Sequence, residues 1–289
     1  MLSIFRVMNK SQSLLSFYHP KTPYPRFLHC GRRILVPEYP LKSQPGKSVR
    51  IEEADIRDLE LIHDFCSKHF AKQEPLCQYF KVKKYGDVLR KNHEHDLKNG
   101  FSCIAFDNHN DQMVGFYTSG LEIIDRNTRI PPLKIPEDFG PIFDENIKPW
   151  GPEYHDEILI ATLVSYVEEM IPHFLPKVEK QAVVHGDLCS VDPKYYGNNL
   201  LGPLMIQTVR LAYESKAASY FYGCATAAIS YKFFSNSVRK EVWSIPLKDV
   251  KLHGKQVFPE GKAHDGHDRI PLMLATLEDM LHSKIFQQI

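Results

Sequence analysis

The sequence predicts one α/β domain in which a mixed sheet is flanked by helices, and three observations carry that prediction. Residues 182–191 (AVVHGDLCSV) are a short, apolar, β-branched run. It stops at Asp192-Pro193 and passes through Gly197-Asn198-Asn199 into apolar residues at helical spacing. Residues 101–106 and 113–120 are strand-like runs around an Asp/Asn-rich turn, which reads as a hairpin. Segments 55–70, 86–99 and 156–170 repeat apolar residues at i, i+3 and i+4, as helices packed on a sheet do.

The totals fit this class. The chain has 289 residues and a mass of 33.4 kDa, the size of one large domain or of one domain with a tail. It is 43% hydrophobic and 25% charged, an ordinary globular composition. No apolar run reaches the roughly 18 residues of a membrane span, so no membrane partner is expected. A net charge of +1 gives no electrostatic case for nucleic acid. Cys30, Cys66, Cys77, Cys103, Cys189 and Cys224 are scattered without the paired spacing that zinc needs. The expectations are therefore no metal, free thiols and a cytoplasmic monomer.

Charge is unevenly placed. Residues 1–50 hold nine Lys/Arg against Glu38 alone, which leaves 27 basic and 34 acidic residues, a balance of −7, in the rest. Residues 1–47 are basic and Pro-rich and read as an extension ahead of a domain at 48–289. The first ten residues carry an apolar stripe with basic residues and no acid, a composition that suits a mitochondrial leader; the alternative is an extension with no address. An acidic body suits a cationic substrate.

In chain order, residues 49–54 alternate as a strand, and Asp55 is placed to cap the helix that follows. Glu74 precedes Pro75, which pushes its backbone out of the helical region and makes a turn. A carboxylate at a turn between apolar residues is either a solvated loop acid or a partly buried acid with a raised pKa. Residues 125–156 contain six prolines and read as a long irregular loop, with Asp156 capping the next helix. That helix, with its mixed polar face, reads as structural. Residues 219–225 are an aromatic-rich strand and 226–236 a helix on which Thr226 and Ser230, four apart, would share a face. Residues 242–250 read as the next strand.

Two stretches carry a resemblance. The loop VDPKYYGNNLL at 191–201 resembles the acetyl-CoA loop of the GNAT acetyltransferase superfamily, whose pattern is Arg/Gln-x-x-Gly-x-Gly/Ala after a strand. Tyr196 stands in place of the Arg, Asn199 in place of the first Gly and Leu201 in place of the last Gly or Ala. The segment Phe70-x-x-x-Glu74-Pro75-Leu76 resembles the signature of insect-type arylalkylamine N-acetyltransferases. The order of these stretches, the hairpin and the later helix is also similar. The resemblance implies a GNAT fold and transfer of acetyl from acetyl-CoA to a small primary amine, above all an arylalkylamine. It implies Glu74 as base, and Thr226 and Ser230 as pocket hydroxyls, with Ser230 first and Tyr231 second as proton donor to the leaving thiolate. It also implies His267, or else His264, in a terminal segment, and an amine pocket walled in part by 125–156. After the hydroxyl helix the pattern Lys-Leu-Gly-Phe is replaced by Ser235-Asn236-Ser237-Val238.

The chemistry then needs a cofactor cradle. Main-chain groups of Leu188, Cys189, Ser190 and Val191 would hold the pantetheine arm. Amides around Tyr196, Gly197, Asn198, Asn199, Leu200 and Leu201 would hold the pyrophosphate at a helix N-terminus. Direct attack needs no covalent enzyme intermediate, so Cys189 reads as structural. Two alternatives stay open: a polyamine, amino acid or peptide acceptor, and a degenerate domain that binds CoA or a partner without turnover.

Overall fold

The computed structural model describes residues 31–82 and 84–287. Eight strands form one sheet: β1 (Ile34–Pro40), β2 (Ser48–Glu53), β3 (Cys103–Asp107), β4 (Met113–Asp125), β5 (Lys180–Val191), β6 (Tyr220–Cys224), β7 (Lys240–Pro246) and β10 (Arg269–Thr276), with a separate two-residue pair β8 (Lys251–Leu252) and β9 (Lys255–Gln256). Their order across the sheet is β1-β2-β3-β4-β5-β6-β10-β7. Every neighbouring pair in that sheet is antiparallel except β5 and β6.

The domain starts earlier than its charge pattern suggests. Strand β1 pairs with β2, and Leu41 is buried beside it, so the fold reaches back well ahead of position 48. Pro37 and Pro40, which cannot donate to a ladder, suit the place of β1 at the edge of the sheet. The suggested leader at the N-terminus lies outside the described residues.

Helices cover both faces. One apolar core holds α1 (Leu59–Phe65), α2 (Ala71–Gln73), α3 (Pro75–Phe80), α4 (Tyr85–Asn99), α5 (Gly140–Ile147) and α6 (His155–Glu168). The other holds α7 (Leu201–Ser215), with α8 (Ala228–Asn236), α9 (Leu277–Leu281) and α10 (Lys284–Gln287) at its side. In α7 the expected apolar face is buried through Leu204, Met205, Thr208, Val209 and Ala212. Between α1 and α2 the helix widens into a π segment, Cys66–Phe70.

Three expectations change in detail. The irregular region 125–156 contains α5. The helix after it starts at His155 with Tyr154 at its cap, and Asp156 lies in the first turn against His155 at 2.8 Å. The hydroxyl helix starts at Ala228, so Thr226 precedes it and shares no helix face with Ser230. Its far end turns through Val238 at φ +63°. That is the left-handed backbone a Gly would take. A β-branched residue there carries strain of about 1–2 kcal/mol.

Candidate active site

Strands β5 and β6 pair at only three positions, Val183 with Tyr220, Val184 with Phe221 and His185 with Tyr222, and then part. Beyond His185, β5 keeps β4 as its sheet neighbour and β6 keeps β10. A cavity of about 540 Å³ opens at the split. Leu188, Cys189, Ser190 and Val191 line it with the free edge of β5, as the pantetheine arm would need.

The loop after β5 closes one end. Asp192 accepts from the Lys194 amide at 3.0 Å and starts a 3-10 turn, Pro193–Tyr195. Gly197 and Asn199 then take φ +82° and +56°, conformations that Gly and Asn accept readily, so Asn199 can stand in a glycine position. Among the described residues, the amides of 197–200 donate to no backbone carbonyl. They sit ahead of α7, as an anion cradle requires. Tyr196, Gly197, Asn199, Leu200 and Leu201 line the cavity; Asn198 does not. The Asn198 side chain is fully buried and turned away. Its carboxamide oxygen takes the Ser43 amide at 2.8 Å, and its nitrogen donates to the Tyr195 carbonyl at 2.9 Å. Asn198 therefore ties the loop to the turn between β1 and β2.

Glu74 comes from the opposite wall. Its extended backbone (φ −65°, ψ 128°) makes it the N-cap of α3 with Pro75 in the first turn, the geometry that the Glu-Pro pair dictates. One carboxylate oxygen accepts from the Cys77 amide at 2.6 Å; the other is buried without a hydrogen-bond partner. Burial pushes the Glu74 carboxyl up from its ordinary pKa, while the Cys77 amide and the Thr226 hydroxyl pull the other way. Thr226 and Ser230 both line the cavity, although a turn and not a shared helix face brings Thr226 there. Above Glu74 the Tyr196 hydroxyl donates to the Gln73 side-chain oxygen, joining the base segment to the cofactor loop.

Other candidates fall elsewhere. Tyr231 and His267 are not in the cavity lining; their rings pack against each other at 5.5 Å, and the Tyr231 hydroxyl accepts from Arg269 at 3.4 Å. His264 is exposed in the same segment. Burial pushes the Cys189 thiol up to about 12, so it is protonated at neutral pH and unsuited to nucleophilic attack. No residue of 125–156 lines the cavity. Helix α6 does, through Ile160, Ala161, Val164, Ser165 and Glu168, so the helix read as structural forms the wall expected of the loop before it.

The far end of the cavity holds ionisable residues that the sequence reading passed over. His185 sits between Glu168 at 2.8 Å and Glu122 at 3.6 Å. Burial works against its positive charge, but those two carboxylates outweigh it and hold its pKa well above the ordinary value. Tyr222 stacks on His185 with centroids 4.8 Å apart and donates to Glu122 at 2.6 Å. Asp96 and Asp187 complete the group. One signal was visible: His185 and Asp187 stand two apart in the middle of a largely apolar strand. Among the described residues no cluster of three or more His, Cys, Asp or Glu has the geometry to hold a metal ion.

The split between parallel β5 and β6, with a phosphate-type loop leading into α7, decides the architecture. The fold is the GNAT fold. The chain is similar to the solved structure of arylalkylamine N-acetyltransferase 2 from Aedes aegypti, at 18% identity over 79% of this chain and 99% of that one, with a TM-score of 0.60. It is similar to the Drosophila melanogaster polyamine N-acetyltransferase that catalyses formation of N-acetylagmatine, at 16% identity, the same 79% and 99% coverage and a TM-score of 0.57. It is also similar to a putative arylalkylamine N-acetyltransferase 7 from the same mosquito, at 18% identity over 86% of this chain and all of that one, with a TM-score of 0.56. No protein-family model and no curated protein matches the chain.

Proposed function

We propose that this GNAT domain is an N-acetyltransferase that moves an acetyl group from acetyl-CoA to a small primary amine, with Glu74 as general base. One observation carries the reading. The buried Glu74 carboxylate faces the same cavity as the free edge of β5 and the open amides ahead of α7.

Main-chain groups of 188–191 and 197–201 would bind the cofactor, which supplies the activated acetyl group. An amine near neutral pH is mostly protonated, and a carboxylate with a raised pKa can take that proton. The amine nitrogen then attacks the thioester carbonyl, and the carbon–sulfur bond breaks. The thiolate takes a proton, for which Ser230, one of the hydroxyls lining the cavity, is the first candidate donor. Tyr231, outside the lining, is the weaker donor on this geometry. An arylalkylamine acceptor is supported by the Glu-Pro-Leu resemblance and by the aromatic walls of Phe70, Tyr85 and Tyr222. The solved polyamine N-acetyltransferase shows that a similar fold also serves polyamines.

The test begins with a thermal melt with and without acetyl-CoA. Ligand at about 100 times its Kd adds about 2.7 kcal/mol, which is roughly 5–10 °C for a domain of this size. Thiol release in an amine screen follows. A shift of that order with amine-dependent thiol release supports the enzyme. A shift with no turnover on any amine would favour a binding module, and no shift at millimolar acetyl-CoA would overturn the reading.

A further inference from the structure

A buried guanidinium stands behind the strand split. Arg239, between α8 and β7, is 3% exposed. Its guanidinium lies between the rings of Phe221 and Phe234, at 4.4 and 4.2 Å from their centroids. It donates to the Tyr117 hydroxyl and to the Met205 sulfur, both at 3.1 Å. Among the described residues no carboxylate comes within ion-pair distance of it, and its Nε has no hydrogen-bond partner. Two aromatic faces lessen the cost of burying a charge, but they do not neutralise it. The hydroxyl that this charge acts on is that of Tyr117.

Tyr117 reaches the point where the split opens. It pairs with Cys189 while Ser119 pairs with Gly186, so Asp187 is the extra residue of a bulge in β5. The bulge puts Gly186 on the same face as Cys189, the face from which the Tyr117 ring projects. A Cβ on Gly186 would come within 2.8 Å of the Tyr117 hydroxyl oxygen, so glycine leaves the hydroxyl its place beside the strand. Gly186 is the first residue of β5 beyond its last pair with β6, and both it and Tyr117 line the cavity. A cofactor held by the amides of 197–200 and running back along β5 from Val191 to Leu188 brings its acyl end beside Gly186. Among the described residues the O–H of Tyr117 donates to no acceptor. Burial pushes its pKa up and Arg239 pulls it down; burial prevails, so the phenol stays protonated at neutral pH. The hydrogen bond from Arg239 polarises the O–H and strengthens it as a donor.

Resting on the N-acetyltransferase reading, we propose that the Tyr117 hydroxyl donates a hydrogen bond to the thioester carbonyl oxygen of acetyl-CoA, with Arg239 as the positioning residue behind it. As the amine nitrogen bonds to the carbonyl carbon, an electron pair moves onto that oxygen, and the O–H of Tyr117 meets the charge there. The pair returns when the carbon–sulfur bond breaks. Tyr117 keeps its proton throughout: a phenol with a raised pKa is a weaker acid than a thiol of about 8.5, so giving the proton to the thiolate would run uphill. The thiolate is left to another donor.

The experiment uses acetyl-CoA labelled at the carbonyl carbon and follows it by carbon NMR, without amine. The resonance should move downfield on binding to the parent, because a hydrogen bond to the oxygen draws electrons from the carbon. In Tyr117→Phe, checked by circular dichroism, it should return toward the free position while acetyl-CoA still raises Tm. With amine, kcat should fall by about 10²–10³ with KM for acetyl-CoA little changed, and the pH profile should keep its shape. Arg239→Met should lower kcat in the parent but add nothing in the Tyr117→Phe background, and Arg239→Lys should recover part of the loss. If Tyr117→Phe does not fold, the parent resonance decides: an unmoved carbonyl overturns the proposal. Parental kcat in folded Tyr117→Phe overturns it too. So does a lowered kcat beside an unmoved parent resonance, which would place the hydroxyl at the sulfur. A downfield carbonyl with no transfer to any amine would keep the donor and overturn the enzyme. No binding of acetyl-CoA would overturn the N-acetyltransferase reading and the donor with it.

Discussion

Glu74 is buried and Asp187 half-buried on one cavity, and their neighbourhoods differ in kind. Glu74 is set by burial, which raises its pKa, and is opposed by an amide from Cys77 and a hydroxyl from Thr226. Asp187 is pushed up to about 6, first by burial; His185 pulls it down, and Glu168 pushes it up again. A carboxylate held mainly by dipoles can take and give a proton without disturbing a charge network. One embedded among an imidazolium and other acids gains or loses a proton only with its neighbours. The first environment suits a base, and the second ties its acids to one another and to His185. The comparison can be broken at either end.

The largest effect is expected at Glu74. Glu74→Gln should lower kcat/KM by about 10²–10⁴, because the general base is lost while the cap on the Cys77 amide is kept. In the parent, kcat/KM should rise with pH through a pKa above the ordinary glutamate value of about 4.3. Stability runs the other way. With the folded pKa above the unfolded one, the native state binds more protons between the two, so stability falls as pH rises through that window. The ionised buried acid is thus a burden at pH 7, and Glu74→Gln should melt no lower than the parent. Parental activity in a folded variant would end the base assignment.

At the other end, Gly120→Ala should lower stability by about 1–3 kcal/mol, read as a drop of a few degrees in Tm, because the new methyl meets the buried Asp96 carboxyl. An unchanged Tm would show that Asp96 is free to move aside and is not held in place. Glu168→Gln should act on His185. Its raised pKa depends on Glu168 and Glu122, so the titration followed by proton NMR should move down toward or below about 6.5. The sign is fixed: a histidine whose folded pKa is raised stabilises the fold at pH below its unfolded value, and that contribution is lost as pH rises through the folded value. The variant should therefore lose stability most on the acid side. A titration that stays high would mean that Glu122 and Asp187 hold the proton without Glu168.

The sequence made one of these two ends legible and hid the other. Glu74 could be found because a Glu-Pro pair forces a local turn, and that turn is also the helix cap. The cofactor loop was readable for the same reason: Asp192-Pro193 and Gly197 are local instructions, and Asn199 accepts the left-handed backbone a glycine would take. The acid end is not local. Asp96, Glu122, Glu168 and Asp187 come from four elements, and only the sheet order and the β4–β5 bulge bring them together. The helix α6 read as structural because nothing in the sequence shows that its polar face looks into a cavity. Thr226 and Ser230 were brought together by helix periodicity that begins too late to apply. The left-handed turn at Val238 was hidden, since a β-branched side chain is the least expected occupant of that backbone.

The smallest effect tests how finely burial sets Glu74. Among its neighbours the Thr226 hydroxyl is the side chain from the facing turn that favours the charged carboxylate. Thr226→Ala removes that hydroxyl and should raise the pKa on the acid limb of kcat/KM by less than about one unit, equivalent to under about 1.4 kcal/mol. Thr226→Ser keeps the hydroxyl and should restore the parental limb. Because Glu74 keeps the Cys77 amide in both variants, the plateau at higher pH should stay near the parent's. A lowered plateau in Thr226→Ala that serine rescues would instead assign the hydroxyl to the substrate or the leaving group. Loss in both variants would point to the threonine methyl as packing for the turn ahead of α8. An acid limb indifferent to Thr226 would leave the Cys77 and Leu76 amides as the counterweights to burial, and the contrast with Asp187 would then rest on main-chain dipoles alone.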